Sequence, residues 1–525
     1  MQRTAVNETT STRLLQSRTM DCLQWLTLSL TLGTGAVVRF HCAACKPFWF
    51  DECFSVEVAR ISWRNFLHLM WWREANMSMY YILLRGWLQL GPSPFFVRSL
   101  SIVISVATLP AIYWLAKLLY DRRVALIATA LLAVNAYSVR YAQEARSYAL
   151  FLLLATLSSG CLISWLQATC EESRSQFATS NSQVRRRWVY VGTAVLAVYS
   201  HLYALLLIAS HWIVLSRTSP GKAPQSVMRH TWSIIGVAVL PLLIFVAKTG
   251  AGPIRWIQRP GFRDLAEFLQ HLSGGKTWVL PVIFGAACIA AIVPVRRSLW
   301  SRGETWEVWR CQFLLVWLLF PVMLTVLLSL ARPVFLPRYM IFCLPALLIL
   351  AAAGLARLNH WLLSPTLVLV LLLGLQGTAF VYGHDFDNER DASGAATEFI
   401  LDYSEPGDAI VFHIAETRVP YEFFRSQRAG RNTASPDFTT PLGPEILFPR
   451  HESGLDYRDF TGKPALEFIR DAAPHYSRVW LMLMNNGPVK RPDPTTQMMS
   501  QALPEVLPKV QRWQFTKVEV RLYSK

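Results

Sequence analysis

Two adjacent carboxylates, Asp51 and Glu52, close the stretch FWFDE just past the first apolar run of the chain. A carboxylate held at a membrane edge between aromatic walls is partly desolvated. That raises its basicity and suits it to take a proton from a hydroxyl. The structural alternative is Asp51 as the cap of the following helix, with Glu52 in its first turn. A second acid, Glu144, lies in RYAQEARSYA (140–149), crowded by Arg140 and Arg146. Charges in a hairpin at the membrane edge are costly unless paired or functional, and a simple Glu–Arg pair is the alternative here. In RPVFLPRYM (332–340), two prolines stiffen a short turn and set Arg338 at a helix start. Its guanidinium suits a bidentate phosphate clamp, or else anchors the chain at the interface beside Tyr339. His201 in YSHLY lies deep in an apolar run whose neighbours suggest a turn, and a satisfied structural histidine is the simpler reading of it.

Gathered on one face, two acidic sites, several arginines and aromatic walls fit transfer from a lipid-linked phosphate. A base activates the acceptor hydroxyl, and cations stabilise the charge on the departing phosphate.

The elements that must position these groups are membrane helices. The chain of 525 residues is 53% hydrophobic and 16% charged, with 20 tryptophans, whereas soluble domains carry about 25% charged residues. Its net charge of +17 sits mostly in short gaps between apolar runs. That pattern fits membrane orientation and anionic lipid, and no basic stripe or motif argues for nucleic acid. A span needs about 20 apolar residues. Runs lie near 22–40, 94–118, 124–140, 147–167, 188–215, 231–248, 278–295, 311–330, 339–356 and 362–382. The basic loops at Asp121-Arg122-Arg123, Arg185-Arg186-Arg187, Arg217 with Lys222 and Arg229, and Arg296-Arg297 share one side only if the fifth run turns back at YSHLY. About eleven spans follow. The polar tail 1–21 is then cytosolic, 22–40 is a retained first span, and the loops 41–93, 140–146, 249–277 and 331–338 face outward. Much of 54–73 is Trp-rich and amphipathic, as in an interfacial helix. Cys42 and Cys45 form a lone CxxC with His41 beside it, which reads as membrane-edge thiols or an incidental disulfide before it reads as a zinc site.

After Tyr382 the composition changes. Residues 383–525 read as a small soluble α/β domain on the outer side. DAIVFH (408–413) and RVWLMLM (478–484) have the pattern of buried strands preceded by helices, QFTKVEVRLY (514–523) that of an alternating strand, and 430–450 that of a long loop.

The order FDE, EANMSMYYILLRGW (74–87), YAQEARSYA, YSHLYALLL (199–207) and RPVFLPRYMIFCLPA (332–346) resembles bacterial GT-C glycosyltransferases. The branch is that of protein O-mannosyltransferases, aminoarabinose transferases and rhizobial lipopolysaccharide-core transferases, over residues 22–382. The resemblance implies a polytopic helical fold in the bacterial inner membrane and a polyprenyl-phosphate sugar donor. It also implies inversion at the anomeric carbon and catalysis on the extracytoplasmic side. It makes Asp51 the general base, Glu52 its neighbour that orients it or a sugar hydroxyl, and Glu144 a second acid contacting donor or acceptor. Arg146 and Arg338, with Arg140, fall to the donor phosphate. His201 occupies the histidine of a THY-like segment. Tyr80, Tyr81 and Asn76 are candidates for substrate contact. The chain departs from many relatives in having Asn76-Met77-Ser78 where they carry His-Pro-Pro before the paired tyrosines. An imidazole is lost there, and with it any acid–base or metal role of that residue.

No cofactor is implied. No compact ligand set is spaced for a metal, although a lipid phosphate can recruit a divalent cation. The expected partners are the lipid-linked donor, a glycan, lipid or protein acceptor, and the bilayer. The alternative function is a transporter or flippase of lipid-linked sugar or polysaccharide, for which repeat symmetry and broken midplane helices would be the signature. A third reading is a scaffold whose outer domain does the work.

Overall fold

The computed structural model describes residues 22–72, 74–172, 180–217, 225–249, 257–295, 305–384, 390–413, 415–432, 443–448, 469–484 and 494–525. The tail 1–21, Lys222, Arg296-Arg297 and most of the 430–450 loop lie outside them. The chain divides into two compact units. One is 1–43, 67–83 and 95–383, and the other is 44–66, 84–94 and 384–525.

The first unit is helical. Its helices are α1 (22–40), α5 (Pro94–Leu119), α6 (Arg122–Ala133), α7 (Ala136–Ala142), α8 (Tyr148–Glu172), α9 (Ser180–Ser200), α10 (Ala204–Arg217), α11 (Gln225–Thr249), α12 (Phe262–Leu272), α13 (Val279–Ile292), α14 (Trp306–Ala331), α15 (Leu344–Leu355) and α16 (His360–Gly383). Among the described residues, six helices are long and apolar enough to cross a membrane, or seven if the bent pair α6–α7 is one span. The chain is thus a multi-pass membrane protein. This measure supports fewer spans than the eleven suggested by charge. Helices such as α10 and α13, with 14 residues each, rise only about 21 Å against a hydrocarbon core of about 30 Å. The fifth run does break at YSHLY, into α9 and α10.

The 59° bend between α6 and α7 sets up the Arg140 segment. At the break, Asn135 caps α7 by accepting from the Ser138 N–H at 2.9 Å. The carbonyls freed at the end of α6 are taken by Arg39, which is fully buried. Its guanidinium donates to Gly35 O, Ala133 O, Leu132 O, Ser138 Oγ and Ser105 Oγ at 2.8–3.1 Å. A buried cation is tolerated here because peptide dipoles solvate it. Gly354 permits another close approach: a Cβ there would lie 1.8 Å from Ala287 O, so α13 and α15 meet backbone to backbone.

The second unit is built on a five-stranded sheet of order β2-β1-β3-β5-β4. Its strands are β1 (Ala409–Phe412), β2 (Glu445–Phe448), β3 (Arg478–Met484), β4 (Lys509–Phe515) and β5 (Val518–Ser524). β1 runs parallel to β2 and β3, and β5 is antiparallel to β3 and β4. The expected buried strands are present, with α17 (Ser393–Tyr403) before β1. Two expectations change. QFTKVEVRLY is a hairpin rather than one strand, since Lys517 takes a positive φ of 58° and turns the chain. Glu445–Phe448, expected in a loop, is edge strand β2, too short for alternation to show. α18 (Ala415–Asn432) and α19 (Pro494–Val506) complete the domain.

Segments 44–66 and 84–94 of the first loop pack with this sheet domain. The single interfacial helix expected over 54–73 is two helices, α2 (Phe50–Arg60) and α3 (Trp63–Trp72). They part at Ile61, whose extended ψ of 158° ends α2, and the Ser62 hydroxyl accepts the Asn65 N–H at the start of α3. α3 does expose Trp63, Leu67, Trp71 and Trp72, but α2 is mostly buried.

Candidate active site

In the helical unit the site residues gather around YSHLY. α4 (Ser78–Trp87) begins just after Asn76-Met77-Ser78. Met77 is buried at a positive φ of 66°. Asn76 Oδ1 accepts the Leu202 N–H at 3.1 Å, so this side chain clasps the histidine turn. Ser78 Oγ donates to Tyr199 O at 3.4 Å. His201 Nδ1 accepts the Tyr203 N–H at 3.2 Å. The neutral ring therefore carries its proton on Nε2, a nitrogen with no hydrogen-bond partner among the described residues. Phe151 stacks on the ring at 4.9 Å between centroids, and Tyr339 meets it edge-on at 4.8 Å. The Tyr203 hydroxyl donates to Val334 O, tying this turn to the RPVFLPRYM segment.

Arg146 and Arg338 are the cations whose fields act on His201. Arg338 is the second residue of the 3-10 turn Pro337–Cys343, which Pro337 opens as expected, and it is buried. Arg146 is partly buried in the turn between α7 and α8. Its carbonyl accepts from Ser101 Oγ at 3.4 Å, and Ser101 in turn shares a 2.8 Å hydrogen bond with the Tyr80 hydroxyl. Tyr81 is fully buried beside Tyr80.

Arg140 and Glu144 pair at 3.5 Å across one helical turn, both 1% exposed. They join the His201 cluster through a run of rings: Arg140 lies 5.1 Å over Tyr141, Tyr141 meets Tyr148 at 4.9 Å, and Tyr148 meets His201 at 6.1 Å. Gln143 fixes the same turn from the other side by donating to Arg39 O and His41 O at 3.0 and 2.7 Å. Arg140, Glu144, Arg146, His201, Arg338, Asn76 and Tyr80 thus form one cluster, mostly buried, with Arg146 and Asn76 partly exposed. Tyr148, Tyr203 and Tyr339 belong to it but carry no chemistry-bearing spacing, and only their places inside the quoted motifs marked them. No group of three or more His, Cys, Asp or Glu side chains gathers around a common point among the described residues. Cys42 and Cys45 are disulfide-bonded.

Asp51 and Glu52 lie in the sheet unit, in the first turn of α2. Asp51 is not the cap of that helix. The N-cap is Trp49, with no side-chain hydrogen bond of its own. Asp51 is partly exposed, while Glu52 is fully buried and paired with Arg390 at 3.3 Å. Arg390 and its neighbour Asp391 are the supporting residues that sequence reasoning missed.

No family model matches the sequence, and no curated protein matches it. Among solved structures, ArnT from Cupriavidus metallidurans in the apo state superposes with a TM-score of 0.59 at 11% identity, covering 96% of this chain and 98% of that one. ArnT bound to undecaprenyl phosphate gives 0.55 at 11% identity, covering 95% and 98%. The Archaeoglobus fulgidus oligosaccharyltransferase tethered to an acceptor peptide gives 0.48 over 77% of this chain and 63% of its own. Near-complete coverage of both chains means that the helical unit and the C-terminal sheet each have their counterpart in the fold of ArnT.

Proposed function

We propose that this protein is a glycosyltransferase of the bacterial inner membrane. It moves a sugar from a polyprenyl-phosphate donor to an acceptor hydroxyl on the extracytoplasmic side. The observation that carries the reading is the buried cluster around His201. Three guanidiniums, Arg140, Arg146 and Arg338, gather in that region, with Glu144 paired to Arg140. A planar guanidinium fork suits a phosphate in particular. ArnT, the neighbour of the same fold, has been seen with undecaprenyl phosphate bound.

In the reaction, Asp51 takes the proton of the acceptor hydroxyl as its oxygen attacks the anomeric carbon. The bond from that carbon to the phosphate oxygen breaks on the opposite face, so the product is inverted. Polyprenyl phosphate leaves with the bonding pair, and Arg146 and Arg338 stabilise the charge that develops on it. Glu144 acts through Arg140, holding that guanidinium in place. His201, with its proton on Nε2, offers a neutral donor to an oxygen of the donor substrate.

The test is a deletion strain in which envelope glycans and lipid-linked sugars are measured by mass spectrometry. The expected result is one glycan lacking a sugar and one lipid-linked sugar accumulating, both restored by the parent gene. Asp51→Asn should fold and bind undecaprenyl phosphate yet restore neither. Full restoration by Asp51→Asn would remove the base from the mechanism. Unchanged transfer with altered sidedness of the lipid-linked sugar would favour the transporter.

A further inference from the structure

The first turn of α2 has no cap of its own, yet it carries both acidic residues of FWFDE. The missing cap comes from the far end of the sequence. Asp391 Oδ2 accepts the Phe50 N–H at 2.9 Å across 341 residues. Its other oxygen, Oδ1, accepts from the Ser393 N–H at 3.1 Å and from the Ser393 hydroxyl, at the start of α17. One buried carboxylate thus serves the N-termini of two helices, where its charge also suits both dipoles. Arg390, the preceding residue, donates from Nη1 to Glu52 Oε2 at 3.3 Å and to Pro47 O at 3.2 Å. Asp51 therefore stands between two residues, Phe50 and Glu52, each held by one member of a dipeptide that leads into the C-terminal domain.

Packing reinforces the hold. Phe50 lies against the sheet core around Ile400, Phe412 and Met482. Phe48 stacks on Phe423 at 5.3 Å with the rings 16° apart. Lys46 Nζ donates to His384 O at 2.8 Å, and Ser55 Oγ donates back to Asp51 O at 2.9 Å.

We propose that Arg390 and Asp391 are positioning residues that fix the Asp51 carboxylate for catalysis, so that the C-terminal domain is part of the catalytic machinery rather than an appendage. The inference rests on the reading of Asp51 as general base. Its physical content is preorganisation: a base must be held within a fraction of an ångström of its working place, and a 1 Å error costs about 100-fold in rate. Arg390 also balances the charge of Glu52, so that Asp51 is not left beside a second uncompensated carboxylate.

The test uses the purified full chain and four variants: Asp391→Ala, Arg390→Met, Arg390→Lys and Asp51→Asn. Three quantities are measured. The first is hydrogen exchange at the amides of Phe50 to Cys53. The second is affinity for undecaprenyl phosphate. The third is the rate of sugar loss from the lipid-linked sugar fraction of the deletion strain, with envelope extract of that strain as acceptor. In Asp391→Ala and Arg390→Met, exchange should rise at least tenfold and turnover should fall about 10- to 100-fold. Undecaprenyl phosphate affinity should stay within twofold, which general destabilisation would not allow. Arg390→Lys keeps a charge for Glu52 and should recover turnover at least severalfold over Arg390→Met. If Asp391→Ala does not fold, the Met and Lys pair decides the matter. Parent-like turnover, or unchanged exchange, in the clamp variants while Asp51→Asn is inactive would overturn the clamp alone. Full turnover in Asp51→Asn would overturn the base assignment and, with it, the catalytic meaning of the clamp.

Discussion

Replacing Arg39 by lysine tests whether the bend that precedes the Arg140 segment is held by that one side chain. Arg39 makes five hydrogen bonds, three to carbonyls and two to hydroxyls. Lysine keeps the charge but has three donors on a single nitrogen and no planar fork. At least two of the five acceptors must then go unserved. Hydrogen bonds inside membrane proteins are worth about 0.6 kcal/mol on average and up to about 1.7 kcal/mol. Two of them give a loss of about 1 to 3 kcal/mol. Ser105→Ala removes only the bond to Nε and sets the scale at about 0.6 kcal/mol. The assay is reversible unfolding of the purified chain in detergent, with sugar-transfer turnover measured on the same samples. Turnover should fall more in Arg39→Lys than in Ser105→Ala, because the Leu132, Ala133 and Ser138 contacts set where α7 starts and hence where Arg140 and Glu144 point. If Arg39→Lys is no less stable than Ser105→Ala and equally active, the carbonyl cage does not hold the bend and the argument fails.

Gly354→Ala should destabilise the chain by about 1 to 3 kcal/mol through overpacking, since its Cβ would meet Ala287 O and C, which are backbone and cannot swing away. Gly285→Ala on α13, with nothing within 4 Å of its Cβ, is the control, and melting in detergent should show it neutral or stabilised by up to about 1 kcal/mol. Glu57 on α2 supplies a pH dependence. Burial raises its carboxyl above the ordinary value of 4.5, Arg60 opposes the shift and Glu422 adds to it. The folded state then holds that proton more tightly than the unfolded one. Its contribution is most favourable at low pH and is lost as pH rises from the unfolded value through the raised folded one. Melting temperatures of Glu57→Gln and parent should accordingly diverge upward from about pH 4.5, with the variant the more stable at pH 7.

What was legible in the sequence was what local pattern determines. Apolar runs marked the helices, and YSHLY marked the break in the fifth, because a histidine and two tyrosines interrupt an apolar face. The prolines of RPVFLPRYM announced the turn that carries Arg338. Two strands of the C-terminal sheet could be read from their continuous apolar character. The hairpin at Thr516-Lys517 could not, because neither residue is a usual turn former and the alternation runs straight through it. The span count was also beyond local pattern, since the charge argument weighs loops and says nothing of helices too short to cross alone.

The candidate site divides along the same line. Arg140, Glu144, Arg146, His201 and Arg338 stood out in the sequence because each lies in a short motif, and the fold brings them into one cluster. Asn76 was read as a departure that costs an imidazole; its side chain instead holds the turn bearing His201, a structural use that only a contact over 126 residues reveals. For FWFDE, sequence offered a choice between a base and a helix cap. The helix cap turned out to be a different aspartate, Asp391, supplied from beyond the last membrane helix. Capping is done by Asp391 and Glu52 is paired with Arg390, and Asp51 is the one of these three acids that stays partly exposed. That exposure is what favours Asp51 over the buried, paired Glu52 in the proposed proton transfer, since a base must reach the hydroxyl it serves.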